Sequence, residues 1–314
     1  MKKSIATYLL LVVAIMTTYS QEKPSFKTEE ININPLINGS LFSPLQTNSK
    51  TNLVILIAGS GPTDRNGNQS GMTNNSLKLL AEALAQKGIA VFSYDKRIIA
   101  QMNAKTINEK ELSFDDFIND AKDVVRFFKN QKKYNKITIA GHSEGSLIGM
   151  VAALHDTDAY ISIAGAGRPI DLVLVDQIEK QAPFLKEEVK QDLELLKKGT
   201  TFELKNQMLA SLFRESVQPY MISWIKYVPQ DEIKKLHIPV LLLNGTKDLQ
   251  VTVSEAQLLK AAKPDASLAI IENMNHIFKE IKGDDTENQN SYANPELPVI
   301  SELIGRISGF INSL

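Results

Sequence analysis

The chain contains no cysteine. That absence excludes disulfides, thiolate catalysis, cysteine–metal centres and lipid attachment at an N-terminal cysteine. A surplus of either charge is missing too: 35 basic residues stand against 36 acidic ones, a formal net charge of −1 over 314 residues. With no basic patch or charged tail, nucleic acid is not an expected partner, and a small or neutral substrate is. Phosphate-binding turns are lacking as well. "GSGP" and "GAGRP" do not extend to G-x-G-x-x-G, and no glycine-rich turn ends in the lysine of a P-loop. There are only four histidines, and no two have zinc-ligand spacing.

What is present begins with a separate N-terminal segment, "MKKSIATYLLLVVAIMTTYSQEKP". Two lysines precede an apolar stretch centred on Tyr8 to Met16, too short to span a bilayer comfortably. Thr18 and Ser20 suit a signal-peptidase site before Gln21. Residues 1–20 are therefore expected to be a cleaved secretory signal, and residues 21–314 a periplasmic or extracellular protein with no stable membrane anchor.

The rest of the chain reads as one large domain. "FKTEEININPLINGSLFSP" alternates as a β-hairpin would, with its turn expected at Asn38-Gly39. Near-continuous apolar runs follow: "NLVILIAG", "IAVFSY", "KITIAG", "YISIAG", "PVLLLNG" and "SLAIIE". Such runs, apolar on both faces, mark parallel strands covered by helices on each side. Between them lie helical patterns, one ending at Gly88 and one starting with a capping box at Ser113 and Asp116. The expected fold is α/β, a mostly parallel sheet with a mixed edge. The alternation lapses over about residues 168–236, where "EEVKQDLELLKK", "FELKNQMLASLF" and "SVQPYMISWIKY" read as a helical insertion over the pocket. "GDDTENQNSYANPELP" reads as an irregular surface loop before a last helix.

One junction carries chemistry. In "KITIAGHSEGSLIGM" a strand passes into a helix through Gly141, Ser143 and Gly145, spaced G-x-S-x-G. In so tight a turn the serine takes strained backbone angles and presents its hydroxyl at the C-terminal edge of the sheet. The hydroxyl needs a base. His142 sits beside the serine and should point elsewhere, His155 follows the next helix, and His237 opens a strand at the wrong edge. His276, just past the last apolar strand, is the candidate base. Asp248, in the loop after "PVLLLNG", is the candidate carboxylate to fix its tautomer. The order Ser…Asp…His is that of an α/β-hydrolase. Oxyanion donors are expected from the backbone N–H groups of Ser60, in "AGSGPTDRNGN", and of Glu144. Asp64 and Arg65 are expected to pair with each other and shape that loop.

Taken in order, "GSGPTDRNGN", "GHSEGS", "GTKDLQV" and "MNHIFK" resemble the bacterial secreted carboxylesterases of the α/β-hydrolase superfamily, the branch grouped with serine aminopeptidase-like hydrolases. The resemblance covers about residues 27 to 314. It departs from many members at Ala58-Gly59, where they have His-Gly. It implies an α/β-hydrolase fold, Ser143 as nucleophile, Asp248 as acid and His276 as base, with no metal or organic cofactor. A carboxylic ester hydrolase acting through an acyl-enzyme on small acyl esters is the expected function. A peptidase, amidase or thioesterase with the same triad, and a binding protein on a disused scaffold, are the alternatives. Glu144 is then either the carboxylate that holds an amine or a solvated helix-start residue. Phe213, Met221 and Trp224 are candidate acyl-facing residues. Oligomeric state is not legible.

Overall fold

The computed structural model describes residues 25–48 and 50–314. The proposed signal segment lies outside the described residues. The strands are β1 (Phe26–Asn34), β2 (Ile37–Pro44), β3 (Leu53–Ile57), β4 (Ala90–Tyr94), β5 (Ile137–His142), β6 (Ala159–Ile163), β7 (Val240–Gly245) and β8 (Ser267–Ile271). The helices before the insertion are α1 (Ser76–Gln86), α2 (Arg97–Ala104), α3 (Phe114–Asn130) and α4 (Glu144–Ala152). Between β6 and β7 lie α5 (Ile170–Gln181), α6 (Lys186–Lys197), α7 (Ala210–Phe213), α8 (Gln218–Ile225) and α9 (Pro229–Lys234). α10 (Val253–Ala262), α11 (Asp285–Ser291) and α12 (Ser301–Asn312) complete the chain.

Among the described residues all strands join one sheet of eight, ordered β1-β2-β4-β3-β5-β6-β7-β8. β1 and β2 enter antiparallel, and every later neighbour is parallel. Alternation within a strand explains why both faces had to be apolar. In β3, Leu53, Ile55 and Ile57 face a core shared with α3, α4 and the insertion helices. Val54 and Leu56 face the opposite core, shared with α1 and α12. Burying each such side chain stabilises the fold by about 1.5–3 kcal/mol. The capping box of α3 forms as expected: Ser113 accepts from Asp115 N, and Asp116 accepts from Ser113 N.

Three local expectations are corrected. The first hairpin turns at Pro35-Leu36, because the Asn34 side chain accepts from the N–H groups of Leu36 and Ile37; Asn38 and Gly39 lie inside β2. "FELKNQMLASLF" is helical only from Gln207 on. Its first part is held extended, with Phe202 bonded to Gln218 and Leu204 to Glu215. "GDDTENQNSYANPELP" contains α11, capped by Asp284. Among the described residues no helix is long and apolar enough to cross a membrane.

Candidate active site

The site forms where β3, β5, β7 and β8 end. Ser143 links β5 to α4 with φ 55° and ψ −120°, a strained conformation for a residue with a Cβ. The flanking glycines are required by close backbone approach. A Cβ on Gly145 would lie 2.5 Å from the carbonyl oxygens of Ile57 and Ala58, and one on Gly141 would strike the backbone of Gly145. The turn is thus wedged against the end of β3, and Ser143 remains half-buried beside the cavity described below.

Asp248 and His276 meet directly. His276 Nδ1 donates to Asp248 Oδ2 at 2.8 Å, with both side chains buried. Asp248 Oδ1 accepts the backbone N–H groups of Gln250 and Val251, each at 2.9 Å. The carboxylate is therefore fixed by its own loop, and the proton it draws to Nδ1 leaves Nε2 as the lone-pair nitrogen. No hydrogen bond from Ser143 Oγ to His276 occurs among the described residues. Such bonds are commonly long in unliganded hydrolases and tighten in the substrate complex. The two segments are held together through His142, whose Nε2 donates to the His276 carbonyl at 2.9 Å. His155 and His237 are exposed, away from this cluster.

The loop after β3 is shaped otherwise than expected. Asp64 does not pair with Arg65; it accepts from the N–H groups of Asn66 and Asn68. Arg65 instead reaches Asp95 with Nε and Nη2, at 3.0 and 2.7 Å, and Glu30 with Nη1. The guanidinium fork thereby ties this loop to β1 and the end of β4, where opposite charges are available. Ser60 is exposed, and its carbonyl accepts from Thr63 and Gln69. Neither the Ser60 N–H nor the Glu144 N–H donates to a protein acceptor among the described residues.

Glu144 is not a solvated helix-start residue. It is buried, with Oε2 2.8 Å from Lys96 Nζ and Oε1 accepting from the Tyr220 hydroxyl. Lys96 and Tyr220 were not singled out from the sequence. The position of Lys96, two residues past an apolar strand that ends at the site edge, is the signal that points to it. Asn275 was also missed. It sets the His276 loop by accepting from the N–H groups of Ile277 and Lys279 and donating to Asn288 and Ser291.

A cavity of about 610 Å³ opens from Ser143 beneath the insertion helices. Ser60, Ser143 and Glu144 form its polar end, while Phe117, Leu147, Val173, Leu174, Met221 and Trp224 contribute apolar walls. Phe213 is not among the lining residues; it is fully buried within the insertion, against Phe202. Both carboxylates in the lining are engaged, Glu144 as described and Glu109 with Arg214 and Ser216. Arg168 is paired with Glu255 and Asp176. Among the described residues the walls therefore offer no unpaired charge. Among the described residues no group of three or more His, Asp or Glu is arranged to hold a metal ion.

Comparison with known proteins agrees with this architecture. Residues 70–218 match the serine aminopeptidase S33 hydrolase family. Esterase EstD of Thermotoga maritima is 28% identical over 269 residues, covering 83% of this chain. The chain spans only about 62% of that relative's length. Est1E from Butyrivibrio proteoclasticus superposes with a TM-score of 0.58 at 17% identity, covering 91% of this chain and 99% of that one. The Pyrococcus furiosus esterase Pf2001 gives 0.53 at 16% identity, with 92% and 91% covered. At these identities the structural likeness speaks to the fold.

Proposed function

Since the chain has the α/β-hydrolase fold, we propose that it is a serine carboxylic ester hydrolase acting on neutral acyl esters. The observation that carries this reading is the buried Asp248–His276 pair, tied by the His142 hydrogen bond to the strand that leads into the strained Ser143, where Ser143 opens on a cavity whose described charged residues are all paired. Ser143 Oγ attacks the ester carbonyl while His276 Nε2 takes its proton. The resulting imidazolium is stabilised by Asp248, and the oxyanion by the N–H groups of Ser60 and Glu144. Collapse expels the alcohol, protonated by His276. Water, deprotonated by the same nitrogen, then releases the acid and restores Ser143.

The S33 match and the shared triad raise peptide substrates as a second reading. An aminopeptidase needs a free carboxylate for the substrate's amine. The two in this cavity already have partners, which supports an ester instead. The N-terminal pattern further supports export to the periplasm or beyond, to be tested by fractionating cells that express the full chain.

Hydrolysis of nitrophenyl esters from acetate to long acyl chains, by the protein and its Ser143→Ala variant, tests the reading. Activity confined to the protein with Ser143 is the expected result. Equal activity in both would remove Ser143 from the reaction.

A further inference from the structure

Lys96 lies just after β4, and its ammonium is almost wholly buried, 3% exposed. It has three partners. Nζ donates to the Gly59 carbonyl at 2.8 Å and to Glu144 Oε2 at 2.8 Å, and it stands 5.1 Å above the centre of the Phe117 ring. The first contact matters because of what a peptide unit is. The Gly59 carbonyl and the Ser60 N–H belong to one planar group and point in opposite directions. Whatever fixes the carbonyl also aims the N–H, and a cation on the oxygen strengthens the N–H as a donor. The second contact lands on the residue whose own N–H is the other oxyanion donor. Tyr220, on insertion helix α8, then donates to the remaining Glu144 oxygen.

We propose that Lys96 is a positioning residue for the oxyanion hole, and that Glu144 and Tyr220 link it to the helical insertion, so that both oxyanion donors are aligned when α8 is seated. This inference rests on the ester-hydrolase reading. It assigns Lys96 no contact with substrate: the ammonium acts through the Gly59–Ser60 peptide. A buried ion pair of this kind is a weak source of stability, because desolvating both charges offsets much of their attraction. Its worth here is orientation. Two neutral side chains would pack as well and would leave the Gly59 peptide free to rotate.

The test compares the full chain with Lys96→Met and Tyr220→Phe. Three quantities are measured: kcat and KM on nitrophenyl butyrate, the inhibition constant of an alkyl trifluoromethyl ketone, and the rate of Ser143 labelling by a fluorophosphonate. The ketone adduct places an oxyanion in the hole, so it reports the hole whatever the natural substrate is. Loss of a single oxyanion donor costs about 10²–10³ in kcat, so a misaimed donor in Lys96→Met should cost roughly 10–100-fold. KM should stay within about threefold, while the ketone binds more weakly in proportion to the fall in kcat/KM. Tyr220→Phe, which removes one oxygen atom, should show the same proportionality with a smaller loss. A merely structural role would lower Tm without coupling ketone affinity to kcat/KM.

If Lys96→Met does not fold, Tyr220→Phe decides. An unchanged kcat and ketone affinity in a folded variant overturns the inference while leaving the esterase reading intact. A wild-type protein that neither hydrolyses esters nor reacts with the fluorophosphonate overturns the esterase reading, and this inference with it.

Discussion

His142 Nε2 donates a hydrogen bond of 2.9 Å to the backbone carbonyl of His276. His142 ends β5, directly before Ser143, so this bond joins the strand that carries the proposed nucleophile to the loop that carries the proposed base. Its ring lies 4.7 Å from the rings of both His276 and Phe278. To donate, Nε2 must carry the proton. Burial, and secondarily the charge that His276 can carry, push the His142 pKa well below 6.5, although the bond to the carbonyl opposes them. The residue stays neutral and serves as a fixed donor.

Replacing His142 with Phe should keep the ring and strand the His276 carbonyl. The expected loss is about 1–3 kcal/mol of stability at pH 7.5, read by urea denaturation. The pH dependence has a definite sign. In the unfolded chain the imidazole binds its proton near pH 6.5, whereas in the folded chain it does so only at lower pH. As pH falls below 6.5, protons therefore favour unfolding of the native sequence, and the variant lacks that group. The stability difference between the two should shrink from pH 7.5 to pH 5; a gap that widens would contradict a neutral, buried His142.

Asp248→Asn separates orientation from charge. The amide oxygen can still accept from Gln250 and Val251, so the loop should persist. The NH₂ group turned toward His276 favours the wrong tautomer, with the proton on Nε2 facing Ser143. By analogy with the serine-protease triad, kcat should fall by about 10³–10⁴-fold with little change in KM or Tm. Steady-state kinetics on a nitrophenyl ester checks this, and a loss below tenfold would exclude the carboxylate from the proposed role.

The sheet and the serine turn were legible because their causes are local. A doubly buried strand must be apolar throughout, and a serine pinched between two backbones needs glycines beside it. The edge hairpin misled because Asn38-Gly39 is the commonest two-residue turn, yet Asn34 supplies a side-chain acceptor four residues earlier and Pro35 bends the chain there. The pairing of Lys96 and of Tyr220 was not legible for a different reason, although the place of Lys96 just past β4 marked it as near the site edge. Each gains its role from a partner far along the chain, Lys96 from Glu144, 48 residues away, and Tyr220 from the same carboxylate at 76. Arg65 shows the same limit: adjacency in sequence suggested Asp64, while folding brings Asp95 and Glu30 to it.

Gly145→Ala should disable the turn without touching any polar group. The added methyl would meet the carbonyl oxygens of Ile57 and Ala58 at 2.5 Å, and both belong to backbone that cannot swing aside. Relief requires α4 to move away from the end of β3, which carries Ser143 away from the Ser60 loop. Overpacking of this kind costs typically 1–3 kcal/mol. The expected result is a lower Tm and loss of fluorophosphonate labelling; normal labelling would mean that the two segments need not touch.

The cavity sets a prediction about acyl length. Leu174 is half-buried and lines the cavity from α5. Leu174→Trp should fill part of the 610 Å³ without removing a polar group. Turnover of acetate and butyrate esters should be nearly unchanged, while longer chains lose kcat/KM by about tenfold or more, in line with 1–3 kcal/mol for a misfit in an apolar pocket. A uniform fall across the series would place the acyl chain elsewhere.

Lys279 follows His276 by three residues, and its side chain is fully buried with Nζ donating to the Leu297 carbonyl. Burial lowers its pKa from 10.5 to about 8. Below pH 8 both folded and unfolded chains hold the proton, and the cost of burying the charge is fully present. Between pH 8 and 10.5 the folded chain has released it while the unfolded chain keeps it, so raising pH favours the fold through this group. A neutral amine can still donate to the Leu297 carbonyl, and the contact survives the titration. Lys279→Met has no such proton to lose. Its Tm measured against wild type at pH 7.5 and again at pH 10 should show the native sequence gaining on the variant at the higher pH. Because every other titrating group is common to both proteins, a constant difference would mean that the Lys279 ammonium is not destabilised by its surroundings.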